Sequence, residues 1–297
     1  MTGPSVRTLG APDLLVDARA ALGEGPVWDA RAGRLLWVDI ERGRVHTTDP
    51  DTGATSTREL GKSVGIVVPR ASGGHVAVLA DGFYALHHDG RVERLAHVDD
   101  DGGRFRFNDG ACDPAGRFLA GTMARDSAPS AGALYRLETD LSVTRLLDGV
   151  TISNGLGWSP DGGTCYYVDT PTGCVIAFDY DGRDGSMSGR RVFVTIEGTP
   201  GRPDGLCVDE QGGVWVALWP GGAVRRYRPD ATLDAVVPLP VSNVSSCGFG
   251  RADLDRLFIT TAHEGLSADE RRDQPLAGGL FVADVGVRGL PRPPFAG

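Results

Sequence analysis

The chain has 297 residues, 41% of them hydrophobic and 23% charged, a composition that suits a globular protein with a sizeable core. Its 30 Lys plus Arg against 39 Asp plus Glu leave a formal charge of −9, which argues against nucleic acid or an anionic membrane as partner. No apolar run approaches the roughly 18 residues that span a bilayer, and Met1 to Ala20 lacks the basic-then-apolar pattern of a secretion signal. The five cysteines, Cys112, Cys165, Cys174, Cys207 and Cys247, form no CxxC pair; they read as free, mostly buried thiols in a reducing cytoplasm.

Helical periodicity is scarce, and 43 Gly with 19 Pro, spread without low-complexity tracts, imply many tight turns between short strands. A strand-like run, Leu14 to Ala18, comes first. Six similar hairpins follow: "GPVWDARAGRLLWVDI" from Gly25, "GIVVPRASGGHVAVLA" from Gly65, "GACDPAGRFLAGTM" from Gly110, "GLGWSPDGGTCYYVDT" from Gly155, "GLCVDEQGGVWVALW" from Gly205 and "GFGRADLDRLFITTA" from Gly248. Their first glycines are 40, 45, 45, 50 and 43 residues apart. The rest of each unit supplies two more strands, as in "GALYRLETDLSVTRLLDG". Four strands on such a period predict an all-β, six-bladed β-propeller with four-stranded antiparallel blades around a central channel. A Greek-key sandwich has no such period. The late run Gly279 to Val285 is expected to share the last blade with Leu14 to Ala18 and close the ring, and no linker divides residues 1–297 into more than one domain.

Innermost strands line a propeller's channel, so equivalent positions on them converge. Directly before the six glycines stand Glu24, Val64, Asp109, Asn154, Asp204 and Cys247, four of them with side-chain oxygens. Burying carboxylates together is costly unless a cation or hydrogen-bond donors compensate. An axial divalent metal resolves that cost. Two carboxylates and an amide oxygen form a hard donor set, which favours Ca²⁺, Mg²⁺ or Mn²⁺ over structural zinc and leaves positions for water or substrate. Taken singly, "NDG", "SNG" and "PDG" are ordinary turn strings. Agreement of Glu24, Asn154 and Asp204 on one repeat position carries the metal reading.

Five stretches, "LGEGPVWD", "RFNDGACDPAGRFLAGTM", "ISNGLGWSPDGGTCYYVDT", "RPDGLCVD" and "QPLAGGLFVADVGVRGLP", resemble the senescence-marker-protein, gluconolactonase and regucalcin family. The resemblance runs in the right order over nearly the whole chain. It implies a six-bladed propeller that hydrolyses sugar lactones with one divalent cation: Ca²⁺ first, with Zn²⁺, Mn²⁺, Mg²⁺ or Fe²⁺ also admissible. It further implies metal ligation by Glu24, Asn154 and Asp204, and substrate contact by Arg106 and Asn108. It places Asn108 rather than Asp109 inward, with Asp109 turned to hold backbone amides; a one-residue bulge would reconcile this with the repeat. A further substrate residue stands two positions after "GTMA", typically Glu in the animal proteins and Asp126 here. The shorter side chain hints at a different sugar preference.

The expected chemistry is lactone hydrolysis with Asp204 as general base and catalytic residue, Glu24 and Asn154 as structural ligands, and Arg106 and Asn108 as donors to the sugar. The competing reading of Arg106 is a surface ion pair with Asp99, Asp100 or Asp101. None of the six histidines takes the inner position, and there is no G-x-S-x-G elbow. "ADERRDQP" reads as a charged loop or short helix. The expected partner is a small-molecule sugar lactone, with no nucleic acid, no membrane and no obligate protein partner. Two rivals keep the metal site: a related esterase or organophosphate hydrolase, and a non-catalytic calcium-binding propeller.

Overall fold

The expected turns do separate strands, and they do so blade by blade. A computed structural model describes residues 6–297; the first five residues of the N-terminal stretch lie outside the described residues. Blade one comprises Gly23–Asp29, Arg34–Asp39, Arg44–Thr48 and Thr55–Glu59, each strand antiparallel to the next. Blades two to five repeat this order from inner strands Val64–Pro69, Phe105–Cys112, Ser153–Trp158 and Arg202–Val208. Blade six begins with Val244–Gly250, Arg256–Thr261 and Leu280–Ala283, and Asp13–Val16 completes it as the outer strand. The two chain ends thus share a sheet and close the ring, as expected. Arg7–Thr8 adds a short fifth strand, parallel, to blade five.

Strands made of Val, Leu, Ile and aromatic residues bury both faces between neighbouring blades. Phe83, for example, meets Phe107 edge-to-face at 5.4 Å across the boundary of blades two and three, and both are fully buried. The charged stretch after blade six's second strand forms a one-and-a-half-turn helix, Ala268–Asp273, with Ser267 and Glu270 in a capping box. Among the described residues no helix is long and apolar enough to cross a membrane. All five cysteines are free, and Cys207 and Cys247 bring their sulfurs within 3.7 Å across two inner strands.

One irregularity positions everything that follows. Every inner strand breaks register with its partner near its start: between Glu24 and Val27, Val64 and Ile66, Phe107 and Gly110, Ser153 and Leu156, Pro203 and Leu206, and Val244 and Ser246. In each blade the inner strand holds one residue more than the strand it pairs with, which is a β-bulge. The bulge and the glycine do not mark the same position in every blade. In blades three to five the first unpaired residue is Asn108, Asn154 and Asp204, so Asp109 is one position later, whereas in blades one and two it is Gly25 and Gly65, and Glu24 is the paired residue just before it. In blade six the bulge selects Ser245 instead of Cys247.

The glycines keep a different role, which is close approach. A Cβ on Gly155 would stand 2.7 Å from the Leu206 nitrogen and 2.8 Å from the Asp204 carbonyl oxygen, and one on Gly65 would stand 2.9 Å from the Asn108 carbonyl. Only a residue without a side chain lets the next blade's inner strand come that near.

The far end of the hub is strapped by the C-terminal tail. Gly289 bridges Asp209 of blade five, Arg292 donates to the Leu206 carbonyl at 3.3 Å, and Phe295 is fully buried beside Arg70 of blade two.

Candidate functional site

The bulged starts of the inner strands crowd polar side chains around the open end of the hub. Glu24, Asp109 and Asp204 are all buried there, between 3% and 6% exposed. Burial first, then repulsion from Asp204 and Asp109, holds the Glu24 carboxyl well above the usual carboxylate range. Burial and then the Asp109 charge raise Asp204 likewise. Asp109 is pushed up to about 6 by burial, against the pull of the Gly110 N–H and of Arg292. Carboxylates far apart in sequence are thus buried close enough at the hub to repel one another.

The amides beside them are locked by a relay of hydrogen bonds. Arg106 Nη1 donates to Asn108 Oδ1 at 2.6 Å. Asn108 Nδ2 donates to Asn154 Oδ1 at 2.9 Å and to the Ser153 carbonyl at 2.8 Å. Asn154 Nδ2 donates to Thr170 Oγ1 at 2.8 Å, and Thr170 in turn donates to the Pro203 carbonyl at 2.8 Å. Thr170 therefore fixes which way the Asn154 amide points, leaving its oxygen toward the hub. The sequence reading missed Thr170; the only available signal was its place just past the end of the "YYVD" strand.

Not every sequence expectation joins the cluster in the same way. Arg106 is buried, and its Nε lies 3.3 Å from Glu41 of blade one, while Arg104 is the residue that pairs with Asp101. The surface ion pair with Asp99 to Asp101 is thus displaced onto the neighbouring arginine. Asp109 does accept the Gly110 N–H at 2.7 Å, as expected, yet it also faces the other acids. Asp126 is exposed on the turn after Phe118–Ala124, where its Oδ1 accepts the Ala128 N–H at 3.1 Å. The geometry brings Glu24, Asn154, Asp204, Arg106 and Asn108 together and leaves Asp126 on the rim.

Do these residues suit a divalent cation? Asp204 Oδ1 is buried with no hydrogen-bond partner among the described residues. A buried carboxylate oxygen left unsatisfied costs of order 1–3 kcal/mol or more. Glu24 has only the neighbouring Gly25 N–H, at 2.9 Å. Buried, under-donated carboxylates with an oriented amide oxygen are what a hard oxygen-seeking cation requires. The donor set fits.

A second cavity, about 460 Å³, lies at the strapped end between Ala111, Leu156, Trp158, Val208, Leu290 and Arg292. Its walls are mainly apolar, and the Cys112 thiol there is driven up by burial and the Asp113 charge, so it has no activated nucleophile.

Comparison with known proteins places the chain in a family. Residues 22–263 match the family model for the SMP-30/Gluconolactonase/LRE-like region. The chain is 39% identical over 293 residues to Regucalcin of Xenopus laevis, covering 96% of this chain and 98% of the relative. Among solved structures it superposes on a calcium-binding protein, regucalcin, from Agrobacterium tumefaciens with a TM-score of 0.93 and 29% identity, covering 98% and 99% of the two chains. A gluconolactonase from Xanthomonas campestris superposes with a TM-score of 0.72 and 25% identity over 93% and 89%. Matched by the family model over residues 22–263 and by curated relatives over nearly its whole length, the chain belongs to the SMP-30/gluconolactonase/LRE-like family.

Proposed function

We propose that this protein opens sugar lactones to their sugar acids at the hub, with Glu24, Asn154 and Asp204 holding one divalent cation, Ca²⁺ first. The observation that carries the reading is the buried Asp204 oxygen without a partner, set among carboxylates that repel one another. When bound, the cation supplies Lewis-acid polarisation of the lactone carbonyl and offsets the charge that develops on its oxygen.

The remaining work falls to the chain's own groups. Asp204 orients the attacking water and takes its proton. The water oxygen bonds to the carbonyl carbon, the ring C–O bond breaks, and the ring oxygen departs as a hydroxyl with the proton that Asp204 had taken. Ionisation of the resulting acid releases the proton that an indicator reads. The Asn108 amide is held on both sides, and Arg106 has no hydrogen-bond partner recorded at Nη2 among the described residues, so that nitrogen is the donor for sugar oxygens. Thr170 keeps the Asn154 oxygen directed at the hub.

A pH-indicator assay on five- and six-carbon aldonolactones, with metal-stripped and Ca²⁺-reconstituted protein, tests the reading. Asp204→Ala should abolish lactone-dependent acid release and leave a folded propeller. Full activity in that variant would end the role given to Asp204. A second reading draws on the solved relative described as a calcium-binding protein: the cation would only brace the hub. Under it, Ca²⁺ would raise thermal stability while no lactone in the panel is opened.

A further inference from the structure

The Arg106 guanidinium stands between two groups of acids. On its inner side lie the hub carboxylates Glu24, Asp109 and Asp204. On its outer side are Glu41, in the loop between Arg34–Asp39 and Arg44–Thr48 of blade one, and Glu264, just past Arg256–Thr261 of blade six. The Arg106 side chain is only 8% exposed, and its Nε lies 3.3 Å from Glu41 Oε1. Its Nη1 is tied to Asn108 Oδ1 and to the Phe107 carbonyl, at 2.6 and 3.2 Å.

A long cationic side chain beside under-donated carboxylates has an obvious alternative resting place. Swung inward, it would act as an internal counter-ion and neutralise the acids that the hub presents. The charges around it oppose that move. Glu41 exerts the largest stabilising pull on the guanidinium charge, Glu264 the next, Arg125 repels it, and Glu24 on the hub side contributes least. The Glu264 backbone is pinned from both directions, its N–H to the Ala21 carbonyl at 3.0 Å and its carbonyl to Asn243 Nδ2 at 2.9 Å.

We propose that Glu41 is a positioning residue that holds the Arg106 guanidinium at the rim and out of the carboxylate hub, so that the hub remains free to take a divalent cation. This rests on the hub being a cation site. It concerns the loop of blade one, which contributes no ligand itself. Glu41 acts through Arg106, and that gives it a signature distinct from simple charge attraction.

Calorimetric titration of chelator-stripped protein with Ca²⁺ reads it directly, on the wild type, Glu41→Gln, Arg106→Met and the double variant, with thermal unfolding as a check that each is folded. Glu41→Gln should weaken Ca²⁺ binding by about tenfold, whereas adding it to Arg106→Met should change affinity by less than about twofold. Glu41→Asp should recover part of the loss. Unchanged affinity in Glu41→Gln, or an equal loss in both backgrounds, overturns the proposal while leaving the hub intact as a cation site. A wild type that takes up no Ca²⁺ overturns the hub reading and this proposal with it, and lactone turnover plays no part in any of these outcomes.

Discussion

Two sets of buried carboxylates in this propeller share the same side-chain chemistry and opposite surroundings. On the outer part of blade five, Asp209 is fully buried and accepts the Gln211 and Gly213 N–H groups, Trp215 Nε1 at 2.8 Å and Arg226 Nε at 2.7 Å. Asp234 beside it is shared by Arg7, Arg226 and Arg228. Burial alone would push Asp234 up, yet these three guanidiniums hold it well below the usual carboxylate range. At the hub, burial acts on Glu24, Asp109 and Asp204 with almost no donors to oppose it. A carboxylate with all its lone pairs satisfied by its own chain is part of the scaffold. One left wanting donors is prepared for something from outside.

The sharpest way to break that contrast is Arg226→Met, which removes the guanidinium that Asp209 and Asp234 share. It should cost about 3–5 kcal/mol in denaturant unfolding without changing Ca²⁺ affinity. Next comes acid, through a buried base that neither set contains. His46 stacks on Trp37 at 4.1 Å, and burial, the largest influence, pushes its pKa down from 6.5 to about 4. Between those values the folded ring binds fewer protons than the unfolded one, so stability present above pH 6.5 is lost as pH falls toward 4. The loss should reach about 3 kcal/mol, and His46→Phe should flatten it in urea midpoints measured from pH 7 to 4.

At the hub the effect should run the other way. Ca²⁺ at a hundredfold excess over its Kd should stabilise the wild type by about 2.7 kcal/mol, or about 5 °C in Tm. Asp204→Asn should erase that gain and, without metal, raise stability by about 1 kcal/mol because a buried charge has gone. Equal Ca²⁺ shifts in wild type and variant would dissolve the distinction between the two sets. The smallest effect belongs to Asp126→Ala on the exposed rim, expected within about 0.5 kcal/mol of wild type in stability. Its informative readout is the relative KM across lactones of different ring substitution.

The hub was partly legible in the chain, and where reading failed the cause is physical. Glycines spaced by 40 to 50 residues identified the inner strands correctly because five of the six mark a close backbone approach that a side chain would block, and Gly25 a close approach by the Ile66 side chain. They part from the bulge in blade three, where the glycine follows Asp109 and the bulge starts at Asn108, in blade six, where the bulge starts at Ser245 rather than Cys247, and in blades one and two, where it starts at the glycine itself. A β-strand alternates sides at every residue, so a single extra residue exchanges inward for outward. Thr170 gave only its place past a strand end as a signal, and Glu41 gave none. Each meets its partner across a blade boundary, Thr170 at the Pro203 carbonyl and Glu41 at Arg106.

By itself, then, the order of residues determined the all-β character, the strand count per unit and the closure of the last blade, since turn chemistry and hydrophobic alternation act over a few neighbours. It also supplied the oxygen-bearing residues Glu24, Asn154 and Asp204 from which a cation site can be built. Only the tertiary structure decided which of Asn108 and Asp109 aligns with Asn154 and Asp204, how Thr170 orients an amide, and that Arg106 is shared between Glu41 and the hub. Those outcomes depend on a ring closing and bringing distant strands within hydrogen-bond reach, which no local pattern encodes.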